Sequence, residues 1–246
     1  MELAVLAFAG SGTALATGIG ALPVSRLGAH AATLRPALWG LTVGLMSVAS
    51  LVGLLLPALD EGSSASVATG LAVGVAFLLI SRRALQAHEP RIGELRGAGV
   101  RRSVLVFAVL LVHSLPEGFA IGTAFASGTE GLGLFVLLAI ALQNVPEGTS
   151  VAIPMEAAGF SAGRQFWAAV LTSAPQPLGA VVSYLLVEQI EGLLPFSFAF
   201  AAGAMLALVL VELAPEAFRR GTLGLSLAGT AVGAALMLAL SALLGV

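Results

Sequence analysis

The sequence predicts an all-α integral membrane protein with eight transmembrane helices, and two observations lead to this fold class. Of the 246 residues, 58% are hydrophobic and 10% are charged, whereas a soluble domain carries about 25% charged residues. Eight apolar segments are also long enough to cross a bilayer core, which needs roughly 20 residues per helix. The hydrophobic excess therefore indicates lipid contact and not one large globular core.

The predicted spans form a single polytopic domain over residues 1–246. They lie at 3–24, 37–58, 63–81, 103–126, 131–155, 164–187, 195–217 and 223–245. The breaks between them contain glycine, proline and charged residues, which are typical of turns. No positive charge precedes Arg26, so we expect the first span to be a membrane helix and not a cleaved signal peptide.

The arginines predict the orientation of these spans. There is no lysine, and all eleven arginines fall in the loops 25–36, 82–102, 156–164 and 217–222. The alternate loops and the N-terminus carry acidic residues instead, namely Glu2, Asp60, Glu61, Glu130, Glu188 and Glu191. By the positive-inside rule the four arginine loops are cytoplasmic, and the N- and C-termini lie outside. The lysine-free, glycine- and alanine-rich composition indicates a bacterial chain, for which we expect the inner membrane.

Several classes of partner are not expected. A net charge of −2 without a basic patch argues against nucleic acid. The absence of cysteine excludes thiolate metal sites. No GxxxxGK[ST] motif is present, so the sequence predicts no nucleotide.

Two similar hexapeptides fall near the middle of spans 4 and 5: HSLPEG at 113–118 and QNVPEG at 143–148. Ionisable groups inside a bilayer cost about 2.5–3.5 kcal/mol on insertion scales, so they mark a transport pathway or a site. His113 and Glu117 are four residues apart and share a helix face, and Gln143 and Glu147 repeat this spacing. Each motif thus directs a carboxylate and a second polar group to one side of its helix.

The flanking residues extend this pattern. Ser114 and Asn144 lie on the adjacent side of their helices. Pro116 and Pro146 each remove a helical hydrogen bond, which predicts a kink in both spans.

The two motifs are expected to meet, because spans 4 and 5 are antiparallel. His113 should lie level with Glu147, and Glu117 with Gln143, around a pseudo-twofold axis in the membrane plane. Two neighbouring carboxylates repel unless they are protonated or bind a cation. Together with an imidazole they suit Zn, Fe, Mn or Cd better than Mg. The alternative is two kinked helices whose polar groups hydrogen-bond to each other.

At these residues the chain resembles the Zrt/Irt-like (ZIP) family of divalent metal transporters. The similarity is carried by HSLPEGFAIGTAF, QNVPEGTSVA and AFAAGAMLALVLVELAPEA in spans 4, 5 and 7. The resemblance implies a primary metal site formed by His113, Glu117, Gln143 and Glu147, with Met46 of span 2 as a soft ligand. It also favours a homodimer. We expect Met205 in span 7 to be a core residue.

The resemblance further implies a second metal position at Ser114, Asn144 and Gln176, beside the two glutamates. All three residues depart from the family pattern, with Ser for Asn, Asn for Asp and Gln for Glu. Two potential carboxylates are thereby lost, so we expect one high-affinity site and at most a weak transit position. Gln176 has an alternative role as an interhelical hydrogen-bond donor.

Glu212 lies toward the cytoplasmic end of span 7 and has two interpretations. It either helps the metal to leave or lies at the membrane interface with Glu216. His30 and His88 are expected to be solvated loop residues.

The sequence therefore predicts a secondary transporter and not an enzyme. A divalent metal, zinc first and Cd, Fe or Mn after it, would enter the cytoplasm by alternating access through a midplane site between spans 2, 4, 5 and 6. The glycines of spans 1, 2, 7 and 8 are expected to allow one bundle to slide on another. The alternatives are an intramembrane metal-dependent hydrolase, for which HExxH is missing, and export or passive conduction through the same site.

Overall fold

Eight long helices make up the computed structural model of this chain, which describes residues 3–87, 98–190, 192–219 and 221–246. Within these residues there is no strand, and eight helices are long and apolar enough to cross a membrane. They are α1 Leu3–Leu27, α2 Ala31–Glu61, α3 Ser64–Ala87, α4 Ala98–Ala126, α5 Leu132–Ala157, α6 Ala162–Gln189, α7 Leu193–Ala217 and α8 Leu223–Leu244. The predicted all-α membrane fold with eight helices long enough to span is confirmed.

The connection between α1 and α2 is shorter than the predicted loop 25–36, and that prediction is wrong. It consists of a single 3₁₀ turn, Gly28–His30. Arg26 lies in the last turn of α1, and Arg35 is the fifth residue of α2. A long arginine side chain reaches the polar interface while its backbone stays hydrogen-bonded in the helix, so charge in a sequence does not require a loop.

Some predicted features lie outside the described residues. These are Glu2, His88, Arg91, Arg96, Glu191 and Arg220, together with the side chains of Arg101 and Arg102.

Three helices are interrupted. A π-helical turn occupies Leu51–Leu55 in α2 and another occupies Val209–Leu213 in α7. Each precedes a proline, Pro57 or Pro215, whose missing N–H perturbs the regular hydrogen-bond ladder. In α6 the helix stops at Thr172 and resumes at Pro175. By contrast, α4 and α5 continue as helix through Pro116 and Pro146.

The helices assemble as two bundles of four. The most extensive contacts join α1 to α5 and α4 to α6 in the first bundle, and α2 to α8 and α3 to α7 in the second. Between the bundles, α4 packs against α7 and α2 packs against α5. The site helices α4 and α5 thus belong to one bundle and border the other.

These contacts agree with the expected inverted repeat. Exchanging α1 with α6, α2 with α7, α3 with α8 and α4 with α5 converts the pair α1–α5 into α6–α4. The same exchange converts α2–α8 into α7–α3, and both predicted pairs are observed. The two π-helical turns also fall on α2 and α7, which the operation relates. The pseudo-twofold symmetry is therefore visible in packing as well as in the repeated hexapeptide.

Glycines hold the helix pairs together inside each bundle. At several of them a Cβ would collide with a backbone carbonyl of the partner helix, as is common where membrane helices approach closely. The pairs are Gly20 with Val145, Gly148 with Thr17, Gly118 with Gln176, Gly40 with Ser226 and Gly74 with Phe200. These pairs lie within a bundle and not at the border between the bundles, so the expectation that glycine surfaces let the bundles slide stays a prediction.

Ion pairs connect the predicted cytoplasmic ends of α2, α3 and α7. Arg35 donates to Glu216 at 2.5 Å, and Arg82 forms an ion pair with Glu212. These contacts bring three predicted inner ends to a similar level, as the arginine distribution requires.

We predict that Gly20→Ala destabilises the protein, because the added Cβ would meet the carbonyl oxygen of Val145 and force α1 away from α5. Overpacking of this kind costs about 1–3 kcal/mol. The control is Gly12→Ala in the same helix, where nothing lies within 4 Å of an added Cβ. Thermal unfolding in detergent should separate the two variants, and equal unfolding temperatures would contradict the packing argument.

Candidate metal centre

Three ionisable side chains converge where α4 and α5 pass each other. His113 and Glu117 come from α4 and Glu147 from α5, and all three are buried. One ligand-capable atom from each lies within 4.8 Å of the others. The Nε2 atom of His113 is 3.3 Å from Oε1 of Glu117. Antiparallel helices with the same spacing thus place the three groups around one point.

Several polar atoms in this cluster lack a partner. Both ring nitrogens of His113, Oε1 of Glu147 and Oε1 of Gln143 are buried without a hydrogen bond to any described residue. A buried polar atom left unpaired costs about 1–3 kcal/mol, and two buried carboxylates also repel each other. A divalent cation would satisfy these atoms together, and the imidazole and carboxylates suit a transition metal.

Glu117 is held from two sides. Gln143 of α5 donates to its Oε1 at 2.5 Å, and Gln176 of α6 donates to its Oε2 at 2.7 Å. The first of these hydrogen bonds agrees with the expectation that Glu117 and Gln143 lie at the same depth in the membrane. Amide donors to both oxygens fix the orientation of this carboxylate, while Oε1 of Gln143 stays available beside it.

The predicted second position is occupied by a hydrogen-bond network. Gln176 donates to Oδ1 of Asn144 at 3.3 Å and accepts from Nδ2 of Asn144 at 3.1 Å. Thr13 of α1 donates to Oε1 of Gln176 at 2.6 Å, and its carbonyl accepts from Asn144 at 2.8 Å. Ser114 donates to the carbonyl of Leu110 in its own helix. The amides therefore bind one another, which is the alternative role that the sequence left open for Gln176.

The break in α6 and the polar face of α1 position this network. Gln176 directly follows Pro175, at the start of the second half of α6. Beside the break, the hydroxyls of Thr17 and Ser173 lie 2.7 Å apart. Sequence analysis missed Thr13 and Thr17, although their spacing of four residues in an apolar helix is typical of interhelical hydrogen bonding.

Met46 and Met205 both lie in the apolar core. Met46 is fully buried on α2, which packs against α5. Its role as a soft ligand stays a prediction. Met205 lies in the same cluster of buried residues, so its assignment to the core is confirmed.

A cavity of about 250 Å³ lies beside the cluster. Its lining comes from both bundles and includes Glu147 and Glu212, with Trp39, Val109 and Leu208 among the apolar residues. The side chain of Glu212 is 28% exposed and pairs with Arg82, while Glu216 pairs with Arg35 and Arg219. In the sequence Arg82 indicates only topology, and its contact with Glu212 is visible only in the structure.

Comparison with known proteins identifies the family. The model of the ZIP zinc transporter family matches residues 66–241. Zinc transporter GufA of Myxococcus xanthus is 35% identical over 84% of this chain and 85% of its own length. Zinc transporter ZIPB of Bordetella bronchiseptica is 36% identical over 94% of the chain and 78% of its own length.

A longer Arabidopsis thaliana relative is 34% identical over 94% of the chain, which spans 37% of that protein. The two bacterial relatives are described as transporters, which favours transport over the hydrolase alternative. The family model matches most of the chain, and the two bacterial relatives match over most of their own length. The eight helices long enough to span a membrane agree with this assignment. This multi-pass membrane protein belongs to the ZIP family of zinc transporters.

Proposed function

We propose that this protein is a secondary transporter that carries divalent zinc into the cytoplasm through the cluster of His113, Glu117 and Glu147. The observation that carries the proposal is the set of buried, unpaired ligand atoms between two antiparallel helices. The bacterial relatives that match most of their length are named zinc transporters. The donor set also accommodates Cd, Fe and Mn.

Metal binding would use the three ionisable residues first. The imidazole and the two carboxylates supply three ligands, and Oε1 of Gln143 is the nearest candidate for a fourth. Met46 of α2, which packs against α5, would be the soft ligand. The hydrogen bonds from Gln143 and Gln176 hold Glu117 in place for the ion.

The cavity supports movement toward the cytoplasm. Glu147 is the one member of the three with measurable exposure, at 4% against 0% for His113 and Glu117, and it lines the cavity shared with Glu212. Toward the predicted outer side, Phe135 of α5 is fully buried and packs close to Gly53 of α2. An ion at the cluster would therefore leave inward in this conformation and enter only after the outer contact opens.

Alternating access would move the α1/α4/α5/α6 bundle against the α2/α3/α7/α8 bundle. Glycine contacts make each bundle a tight unit, whereas α2–α5 and α4–α7 form the border between them. The cluster travels with the first bundle, and Met46 and Glu212 belong to the second.

The proposed membrane location and orientation rest on the composition, the arginine distribution and the exposed apolar residues. We place the protein in the inner membrane of a bacterium, with the arginine loops in the cytoplasm. Exposed leucines and valines on α8, such as Leu225, Val232 and Leu236, would face lipid. A homodimer would use part of this apolar surface.

We predict that Glu117→Ala lowers zinc uptake at least about 100-fold, because the variant loses a ligand and removes the acceptor of Gln143 and one acceptor of Gln176, a loss of roughly 3 kcal/mol. The measurement is zinc accumulation in vesicles that contain the purified protein. Glu130→Ala, in an exposed turn outside the site, is the control and should behave as the wild type. Wild-type uptake by Glu117→Ala would contradict the assigned site.

We further predict that each chain binds one divalent ion at equilibrium. Asn144, Gln176 and Thr13 satisfy one another, and they bring no charge to a second ion. Quantitative zinc analysis of the purified protein should give a ratio near one. Two ions of equal occupancy next to each other in an experimental structure would refute this stoichiometry.

A further inference from the structure

Glu212 lies on the wall of the cavity that borders the metal cluster, and it forms an ion pair with Arg82. Arg82 comes from the end of α3 and Glu212 from the π-helical turn of α7. Their side chains are 33% and 28% exposed. A smaller neighbouring cavity is lined by Arg82 and Glu212 together with Val109 and Val112 of α4. The pair thus belongs to the second bundle and faces a helix of the bundle that carries the cluster.

Apart from Glu212, the larger cavity has one other ionisable residue among its described lining. That residue is Glu147, and most of the remaining lining is apolar, including Val106, Leu110 and Leu213. A divalent ion that leaves Glu147 would therefore meet Glu212 as its next carboxylate. An unpaired carboxylate there would hold a divalent cation more strongly than a univalent one, because the Coulomb attraction grows with the charge of the ion.

Glu212 already has a cation in place. The guanidinium of Arg82 is always protonated, and its attachment to α3 keeps it beside the carboxylate. Partly exposed pairs of this kind are weak, so an incoming ion can displace the guanidinium without a large penalty. Farther along α7, Glu216 is paired with Arg35 and Arg219, which repeats the arrangement on the same predicted side.

We propose that Arg82 is a tethered counter-cation that exchanges with the departing metal at Glu212 and prevents this carboxylate from trapping the ion. The inference rests on the proposed inward transport through Glu147. In this mechanism Glu212 receives the metal briefly, and the returning guanidinium expels it. Arg82 acts through Glu212 and is therefore a positioning residue that sets the release rate.

The test measures initial zinc uptake as a function of zinc concentration, with the full chain in lipid vesicles. Four variants are compared with the wild type: Arg82→Gln, Arg82→Lys, Arg82→Gln combined with Glu212→Gln, and Arg83→Gln. Arg83 is the matched control, since it is the adjacent, exposed arginine at the same helix end. Zinc bound at equilibrium and the unfolding temperature are measured on the same preparations.

We expect Arg82→Gln to lower both Vmax and KM about fivefold, as the loss of one partly exposed ion pair allows. The ion is then held longer at Glu212, and more zinc is bound at low concentration. Arg82→Lys keeps the charge and should stay within about twofold of the wild type, since the ammonium can still pair with a carboxylate. The double variant removes the trap and should regain most of the lost Vmax.

Two results would overturn the proposal. One is that Arg82→Gln has the same kinetics as Arg83→Gln. The other is a loss of Vmax in Arg82→Gln that Glu212→Gln does not relieve, which would assign Arg82 a structural role alone. A separate measurement on His113→Ala distinguishes this from a failure of the proposed function: if zinc uptake does not depend on His113, the transport site itself is wrong.

Discussion

Two carboxylates and an imidazole buried together in an apolar protein are the constraint on which the rest of this structure depends. Removing charged groups from water is costly, and like charges in a low-dielectric interior repel. Amide donors from α5 and α6 satisfy Glu117, but the ring nitrogens of His113 and one oxygen of Glu147 have no hydrogen bond to any described residue. The chain alone leaves the cluster incomplete, and we propose that a divalent cation completes it.

The surrounding helices are arranged to hold this cluster while still allowing movement. Within each bundle, glycines bring backbones so close that a methyl group would not fit. Membrane helices have no hydrophobic driving force for association in lipid, so such packing and interhelical hydrogen bonds supply the cohesion. The border between the bundles has fewer contacts of this kind and encloses the cavity that joins Glu147 to Glu212. Rigid units with a looser border between them are what alternating access requires.

Neutral amides beside the cluster change what the centre can hold. Asn144 and Gln176 donate and accept hydrogen bonds within their own network and with Thr13. They stabilise Glu117 without adding negative charge. In the proposed site the two carboxylates would compensate the charge of one divalent ion, whereas a second ion would have to break the network and would meet no additional carboxylate. The two halves of the inverted repeat pack in the same way, but their motifs differ in polar residues, with His113 and Ser114 in one and Gln143 and Asn144 in the other.

Composition and residue spacing were enough to predict the fold class, the number of spans and the identity of the buried ionisable residues. Hydrophobic length reports membrane crossing directly, and the spacing of His113 to Glu117 and of Gln143 to Glu147 follows from helix geometry. The local sequence does not reveal which helices pack closely on each other. A glycine that faces lipid and a glycine that faces a carbonyl of a partner helix cannot be told apart in the sequence. The local sequence also does not reveal that Thr13 supports Gln176, or that Arg82 neutralises Glu212. Those contacts join residues far apart in the chain, and only the packing of the helices decides which of them meet.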